Sequence, residues 1–147
     1  MKKIFTIGFT KKTAEEFFNL LERGQVESLI DIRLNNTSQL AAFSKFPDLE
    51  FFLKRILGIP YVHDVNFAPT EEILNQYKKK IIDWSGYESE FTKLMNERNV
   101  DEYILKNYHS RDNFCFLCSE PRPEKCHRRL VAERFAHVFK EVEIVHL

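Results

Sequence analysis

The fold class follows from residues 3–33, which read KIFTIGFTKKTAEEFFNLLERGQVESLIDIR. Residues 3–9 are β-branched and aromatic and stop at a Gly-Phe-Thr turn, so they predict a first strand. Thr13 starts a capping box that predicts a helix, and Gly24 predicts the end of that helix. Residues 26–33 then form a second predicted strand. A strand, a helix and a strand within so short a stretch imply a right-handed crossover between parallel strands.

The rest of the chain continues the alternation of strands and helices. Apolar residues that share one face predict further helices over residues 48–57 and from Pro123 onward. Pro69 and the acids that follow it predict the start of a helical stretch over residues 70–108. Further strands are predicted over residues 60–65, 113–117 and 142–147. We expect the long helical stretch to break at Ser85-Gly86 and again near Asn99.

This order of elements predicts the architecture. A β-α-β-α-β-α-α-β-α-β sequence is typical of an α/β fold with a mostly parallel central sheet of about five strands and helices on both faces. The length fits a single domain, spanning residues 1–147, with an ordinary hydrophobic core. The order of the strands within the sheet does not follow from the sequence.

Composition and charge narrow the class of protein. Of the 147 residues, 44% are apolar and 30% are charged, as expected of a soluble globular domain. Lys plus Arg and Asp plus Glu number 22 each, so no overall charge attracts the chain to a nucleic acid or an anionic membrane. No apolar stretch is long enough to span a membrane. Three cysteines without disulfide-scaffold spacing favour a reducing compartment, so we expect a cytoplasmic protein.

Three predicted strand ends carry the candidate functional residues. In an open parallel sheet, ligands bind in the crevice at the carboxyl ends of the strands. One edge of such a sheet would bring together residues 8–10, 31–33 and 118–120. The candidates on that edge are Gly8, Thr10, Asp31, Arg33, Cys118 and Glu120. The sequence therefore predicts a site at this edge and leaves its reaction open.

The three cysteines are not equivalent. Cys115 and Cys118 have a Cys-x-x-Cys spacing, but residues three apart on a strand point to opposite faces, so we predict that Cys115 is a core residue. Cys126 lies near the predicted start of a helix, where free N–H groups and the helix dipole favour a thiolate. Cys118 and Cys126 are therefore candidates for a nucleophile or a ligand. The alternative is that they simply fill the interface between helix and sheet.

His127 raises the alternative of a zinc site. Together with Cys118 and Cys126 it offers the nitrogen and sulfur ligands that zinc prefers. Consecutive residues of a helix point about 100° apart, however, and a helix that starts at Pro123 would separate the side chains of Cys126 and His127. We therefore assign no metal ligands and no cofactor.

The arginines allow two interpretations. Arg128, near the predicted start of a helix, opposes the helix dipole unless an anion or a carboxylate lies close to it. Asp31 and Arg33 are two residues apart on a predicted strand and so share a face. Each arginine could form a structural ion pair. Alternatively, Arg33 and Arg128 could together bind a phosphate or a carboxylate.

A family resemblance runs through the same residues. The motifs that carry it are Thr6-Ile7-Gly8-Phe9-Thr10, Asp31-Ile32-Arg33 followed by Ser38 and Phe43, Tyr61-Val62-His63, Cys118-Ser119-Glu120 and Cys126-His127-Arg128. With them the chain resembles the domain-of-unknown-function 488 family over nearly its whole length. The resemblance implies a compact α/β domain whose motif residues, Ser38 and His63 included, cluster at one edge. Members of that family are mostly small, uncharacterised bacterial and archaeal cytosolic proteins, so the resemblance implies no particular reaction.

The predicted function is the binding of a small anionic or nucleotide-like ligand at the sheet edge, with or without catalysis. The catalytic candidates are Cys118, Glu120, Cys126 and Asp31. The ligand-binding candidates are Gly8, Thr10, Arg33, Ser38, His63, His127 and Arg128. Two alternatives stay open. One is a nucleic-acid-associated binding module that uses aromatic residues such as Trp84, and the other is a metal-binding protein that uses Cys118 and Cys126.

Overall fold

The computed structural model describes residues 1–37, 42–120 and 122–147. They form a single α/β domain around a five-stranded sheet, which confirms the predicted fold class. The strands are β1 Lys2–Gly8, β2 Ser28–Asp31, β3 Tyr61–His63, β4 Phe114–Cys118 and β5 Val142–His146. Every pairing between these strands is parallel.

The strand order is β3-β2-β4-β1-β5. β4 therefore lies at the centre of the sheet, and all of its residues are buried, as its continuous apolar sequence requires. In the register of the sheet, Gly8 pairs with Cys118, and Asp31 pairs with Leu117. The carboxyl ends of β1, β2 and β4 thus lie nearly level with one another. We call this side of the sheet, with the loops that follow the strands, the carboxyl edge.

Helices connect the strands. In the part of the chain that the structure describes they are α1 Ala14–Arg23, α2 Asp48–Phe52, α3 Glu71–Lys78, α4 Trp84–Glu97, α5 Val100–Tyr108 and α6 His127–Phe139. A π-helical segment, Leu53–Leu57, extends α2, and 3₁₀ turns lie at Ala42–Ser44 and Val65–Phe67. None of the described helices combines the length and the apolar character needed to cross a bilayer.

The helices cover both faces of the sheet, as predicted. On one face, α1 and the extension of α2 contribute residues such as Phe17 and Leu53 to an apolar cluster. Cys115 is fully buried in that cluster, which confirms its predicted place in the core. On the other face, α4, α5 and α6 pack against the sheet through residues such as Phe91 and Phe135. A separate hydrophobic cluster therefore lies on each face of the sheet.

Local sequence signals set several boundaries where we predicted them. The Thr13 hydroxyl accepts a hydrogen bond from the Glu16 backbone N–H at 3.1 Å and so caps α1. Gly58 ends the helical segment after α2 in a left-handed conformation, with φ of 68°. Asn99, also left-handed, separates α4 from α5 at the predicted break. These boundaries are local because the residue itself supplies the cap or the turn.

The predicted break at Ser85-Gly86 is wrong. The helices separate earlier, between Lys78 at the end of α3 and Trp84 at the start of α4. The carboxylate of Asp83 accepts a hydrogen bond from the backbone N–H of Gly86 at 2.8 Å. This cap places Gly86 inside the first turn of α4, where a glycine lowers the stability of the helix only slightly.

Two predicted boundaries at the carboxyl edge are also wrong. β2 ends at Asp31, so Arg33 lies in the loop that follows the strand. α6 begins at His127 instead of Pro123, and Cys126 precedes it as an extended N-cap residue with φ of −139° and ψ of 138°. Cys126 therefore does not have helical geometry. The argument that helical spacing separates the side chains of Cys126 and His127 does not apply.

Candidate functional site

A cavity of about 230 Å³ opens at the carboxyl edge of the sheet. We call it the rim cavity. Three groups of residues line it: the end of β4 with the start of α6, aromatic side chains from α3 and α4, and charged side chains from the loops. Five of the predicted site residues are among them, namely Arg33, Cys118, Glu120, Cys126 and His127.

The first group is a cluster of Cys118, Cys126 and His127, which we call the thiol–imidazole cluster. Cys118 ends β4, Cys126 directly precedes α6 and His127 begins α6, and all three side chains are buried. Their sulfur and nitrogen atoms lie within 4.8 Å of one another. The Sγ of Cys118 is 3.2 Å from Nδ1 of His127. Strand end and helix start thus bring two thiols and an imidazole to one point.

A hydrogen bond to the loop after β2 fixes the orientation of the His127 ring. Its Nε2 lies 2.8 Å from the carbonyl oxygen of Ile32, in the loop after β2. A carbonyl oxygen only accepts, so Nε2 carries the proton and donates it. In the neutral ring, Nδ1 then presents its lone pair toward Cys118. The edge of the ring also packs against Phe91 of α4, with ring centroids 5.6 Å apart.

The two thiols of the cluster differ in acidity. Burial acts to raise the pKa of Cys118, but hydrogen bonds from Cys126 and from the backbone of Ser119 and Glu120, with the charge of Arg128, lower that pKa below its ordinary value. Burial raises the pKa of Cys126, and its hydrogen bond to Cys118 raises it further. Cys118 therefore ionises first, with Cys126 as its donor. An ionisable thiol beside an imidazole suits a nucleophile or a metal ligand.

The second group is an aromatic wall formed by Tyr77, Trp84 and Tyr87. The rings of Trp84 and Tyr87 stack with centroids 4.8 Å apart and planes 15° apart. Tyr77 meets both of them edge-on. The sequence points to Trp84 only in the nucleic-acid alternative and does not place Tyr77 or Tyr87 at the site. The spacing of Trp84 and Tyr87 predicts a shared helix face, but nothing local indicates which strand that face covers.

In the third group, Arg33 is only 3% exposed and is held by Asp31. Its Nε donates to Asp31 Oδ1 at 2.8 Å, and its Nη2 donates to Asp31 Oδ2 at 2.7 Å. Nη2 also donates to the carbonyl oxygen of Ser44, while Tyr61 donates its hydroxyl to Asp31 Oδ2. The carboxylate of Asp31 is thus engaged by its neighbours and does not line the rim cavity. Its geometry suits the positioning of Arg33 rather than proton transfer.

Thr10 and His63 connect loops at the carboxyl edge. The backbone N–H and the hydroxyl of Thr10 both donate to the carbonyl oxygen of Ser119, at 3.1 Å and 2.5 Å. The Nε2 of His63 donates to the carbonyl oxygen of Arg33 at 2.7 Å. Neither residue lines the rim cavity. Their predicted contacts with a ligand stay predictions.

Gly8 and Arg128 lie beneath the loop that follows β4. A Cβ atom on Gly8 would come 1.7 Å from the carbonyl oxygen of Glu120 and 2.8 Å from Nη1 of Arg128. The side chain of Arg128 is fully buried at this point and does not reach the rim cavity. Its predicted role as part of an anion clamp stays a prediction. Ser38, the remaining predicted ligand-binding residue, lies outside the described residues.

The mouth of the rim cavity carries charged side chains. Glu120 and Lys125 are both exposed there. Both also line a groove of about 860 Å³ that runs along α3 and shares Tyr77 and Trp84 with the rim cavity. A ligand seated in the cavity could therefore extend into the groove.

The fold and the site define a class of protein: a parallel α/β domain with two thiols and an imidazole buried at the carboxyl edge of its sheet. The chain belongs to the family described as domain of unknown function DUF488, which it matches over residues 13–135. This match confirms the resemblance carried by the sequence motifs. No curated protein and no solved structure matches the chain significantly. Membership in the family thus comes without an assigned reaction.

Proposed function

We propose that this protein binds a small organic anion with a flat ring, of the nucleotide type, in the rim cavity. The observation that carries the proposal is the unmatched donor of Arg33. Its Nη1 is buried and has no hydrogen-bond acceptor among residues 1–37, 42–120 and 122–147. Arg33 is also part of the lining of the cavity.

A buried charged donor without an acceptor is costly, so its presence at a cavity favours an external acceptor. Asp31 grips the Nε and Nη2 side of the guanidinium and thereby fixes the direction of Nη1. A phosphate or carboxylate oxygen is the natural partner of such a group. Lys125, exposed at the mouth of the cavity, offers a second positive charge for the same anion.

The aromatic wall favours a flat ring as the other part of the ligand. Tyr77, Trp84 and Tyr87 present ring surfaces and edges to the cavity. Stacking of a base on an aromatic side chain contributes about 1–3 kcal/mol and tolerates different ring systems. A cavity of about 230 Å³ accommodates one ring with its anionic group, and the adjoining groove leaves room for more of the ligand.

Trp84 makes the proposal directly testable. It is the only tryptophan of the chain, so intrinsic fluorescence reports on the wall of the rim cavity. We expect nucleoside monophosphates to change this fluorescence at lower concentrations than either the matching nucleosides or inorganic phosphate, because only the intact molecule engages both the ring wall and Arg33. A folded protein whose fluorescence does not respond to nucleotides or to aromatic carboxylates would refute the proposal.

Lys125→Ala should weaken the binding of the anion by about threefold to tenfold, as expected for one partly solvated charge. Lys106→Ala is the matched control, because Lys106 is exposed on α5 and lines neither the cavity nor the groove. Both variants lose one positive charge, so long-range attraction falls equally in both. Equal affinities for the two variants in the Trp84 titration would show that the anion does not lie at the mouth beside Lys125.

A further inference from the structure

We infer that the thiol–imidazole cluster is a zinc site whose fourth coordination position opens into the rim cavity. The ligands are Sγ of Cys118, Sγ of Cys126 and Nδ1 of His127. The inference concerns the same cavity as the proposed function but does not rest on it, because a metal can be bound and measured without any organic ligand.

The three ligand atoms lie close enough together to bind one tetrahedral zinc ion after small side-chain movements. Zinc bonds to sulfur at about 2.3 Å and to nitrogen at about 2.0–2.1 Å, so two ligand atoms in a tetrahedral site lie about 3.5–3.8 Å apart. In the cluster these atoms all lie within 4.8 Å of one another, and Cys118 Sγ is 3.2 Å from His127 Nδ1. Side-chain movements of up to about 1 Å would bring all three atoms to the tetrahedral separations.

The local backbone explains how consecutive residues can share one ion. Cys126 has an extended backbone, whereas His127 begins α6. Their side chains therefore do not follow the 100° step of a helix, and both turn toward Cys118 at the end of β4. An extended residue followed by a helical one brings the two neighbours onto the same point.

The surroundings hold these groups as metal ligands are usually held. A histidine that binds zinc typically donates its other ring nitrogen to a carbonyl or a carboxylate, which fixes its orientation. His127 does so through Nε2 and the carbonyl oxygen of Ile32. Backbone groups of Ser119 and Glu120 hydrogen-bond to the sulfur of Cys118. The outer-shell partners of His127 and Cys118 are thus in place around the cluster.

The types of the ligand atoms indicate which metal binds. The number of protein ligands, three instead of four, indicates the kind of site. Two thiolates and an imidazole suit zinc and not the oxygen-seeking Mg²⁺ or Ca²⁺. Within the described ranges, no fourth His, Cys, Asp or Glu joins the cluster. All three ligands line the rim cavity. Three protein ligands with an open position are characteristic of catalytic zinc sites, whereas structural sites have four.

The first test is the metal content of the wild-type protein purified under reducing conditions without chelator. We expect one zinc ion per chain, its removal by a strong chelator, and a higher melting temperature when zinc is returned. Titration of the stripped protein with Co²⁺ should give the visible bands of tetrahedral cobalt and near-ultraviolet bands of thiolate ligation, all abolished by Zn²⁺. A folded, reduced protein that binds neither metal, or one that carries a Cys118–Cys126 disulfide in place of the metal, would overturn the inference.

Variants then assign the ligands. Cys126→Ala and His127→Gln should each weaken cobalt binding by roughly 100-fold or more, beyond the loss expected for an outer-shell partner. Cys115→Ala is the matched control, because that thiol is equally buried but lies on the other face of β4 and should leave the cobalt bands unchanged. Retention of wild-type affinity by His127→Gln would contradict the ligand set, even if Cys126→Ala fails to fold.

The open position has its own measurement. Azide added to the cobalt protein should shift the visible bands, because an exogenous anion can occupy the fourth site. Unchanged bands at saturating azide would mean that four protein ligands are present, and this would refute the open position. Zinc binding without any response of Trp84 to nucleotides would leave the metal site standing and remove the proposed ligand. If the wild type bound no metal but Trp84 responded to nucleotides, the zinc site would be refuted and the proposed ligand would stand.

Discussion

Among the glycines, Gly8, at the carboxyl edge, has the least room for a side chain. A Cβ atom there would overlap the backbone carbonyl of Glu120, only 1.7 Å away, and would crowd Arg128. Gly58 is a glycine for a different reason, since its φ is 68° and nothing lies within 4 Å of its would-be Cβ. At Gly8 there is no room for a Cβ atom. At Gly58 the backbone is left-handed, a conformation that glycine adopts without strain.

Gly8→Ala should therefore cost about 3 kcal/mol of unfolding free energy, the upper end of the usual range for overpacking, because the blocking atom belongs to the backbone. Gly58→Ala should cost about 1–2 kcal/mol, the penalty of a left-handed conformation for a residue with a side chain. Urea unfolding of both variants checks the order. A smaller loss for Gly8→Ala than for Gly58→Ala would show that the loop after β4 yields easily.

Among the elements, strands could be predicted from the sequence more reliably than the start of α6. The apolar run of β4 predicts a buried strand, and all five of its residues are buried in the sheet. Pro123 suits the first turn of a helix, yet α6 begins at His127. With α6 starting at His127, the side chains of Cys126 and His127 lie close to that of Cys118. Those contacts join residues from different elements, and no local pattern reveals them.

A contact between β1 and β5 leads to a prediction about how the stability of the protein depends on pH. His146 on β5 pairs with Thr6 on β1, and its Nδ1 lies 2.6 Å from the Thr6 hydroxyl. Partial desolvation, and then the charge of Arg128, lower the pKa of His146 below its ordinary 6.5. The folded state thus favours the neutral ring, so this residue's contribution to stability is present above pH 6.5 and is lost as the pH falls through the folded pKa.

An NMR titration should find the His146 resonance titrating below 6.5, and the His146→Gln variant identifies that resonance by its absence. Urea unfolding of the two proteins should also show the wild type losing more stability than the variant as the pH falls below 6.5. Other titrating groups are common to both proteins and cancel in the comparison. A titration above 6.5 would contradict the prediction, because it would mean that the folded state stabilises the charged ring.

For the molecule as a whole, the presence of Cys118 and Glu120 at one edge of the sheet was predictable, while the aromatic wall beside them was not. Cys118 and Glu120 follow from the rule that ligands bind at the carboxyl ends of parallel strands. The aromatic wall depends on how α3 and α4 fold over that edge, which no residue signals locally. The carboxylate of Asp31, predicted as an acid or base, accepts hydrogen bonds from Nε and Nη2 of Arg33 and so positions that side chain, and its catalytic role stays a prediction.

The charge distribution of the whole molecule argues against the nucleic-acid alternative. Acids and bases balance at 22 each. Several arginines are already engaged: Arg129 pairs with Glu88 and Glu133, and Arg134 pairs with Asp101. We expect a fluorescently labelled single-stranded oligonucleotide to show no change in anisotropy at about 0.15 M salt, where charges more than about 8 Å apart are screened.

Salt dependence separates this alternative from the proposed function. Binding of a nucleic-acid strand through several phosphates releases several counterions, so its affinity falls steeply as salt rises, whereas a mononucleotide held by Arg33 and stacked on Trp84 releases few. Titration of the mononucleotide through Trp84 fluorescence and of the oligonucleotide through anisotropy, over the same salt series, gives the two slopes. A steep oligonucleotide slope with tight binding at low salt would favour the binding module, because only a strand that contacts many cations at once loses affinity in that way.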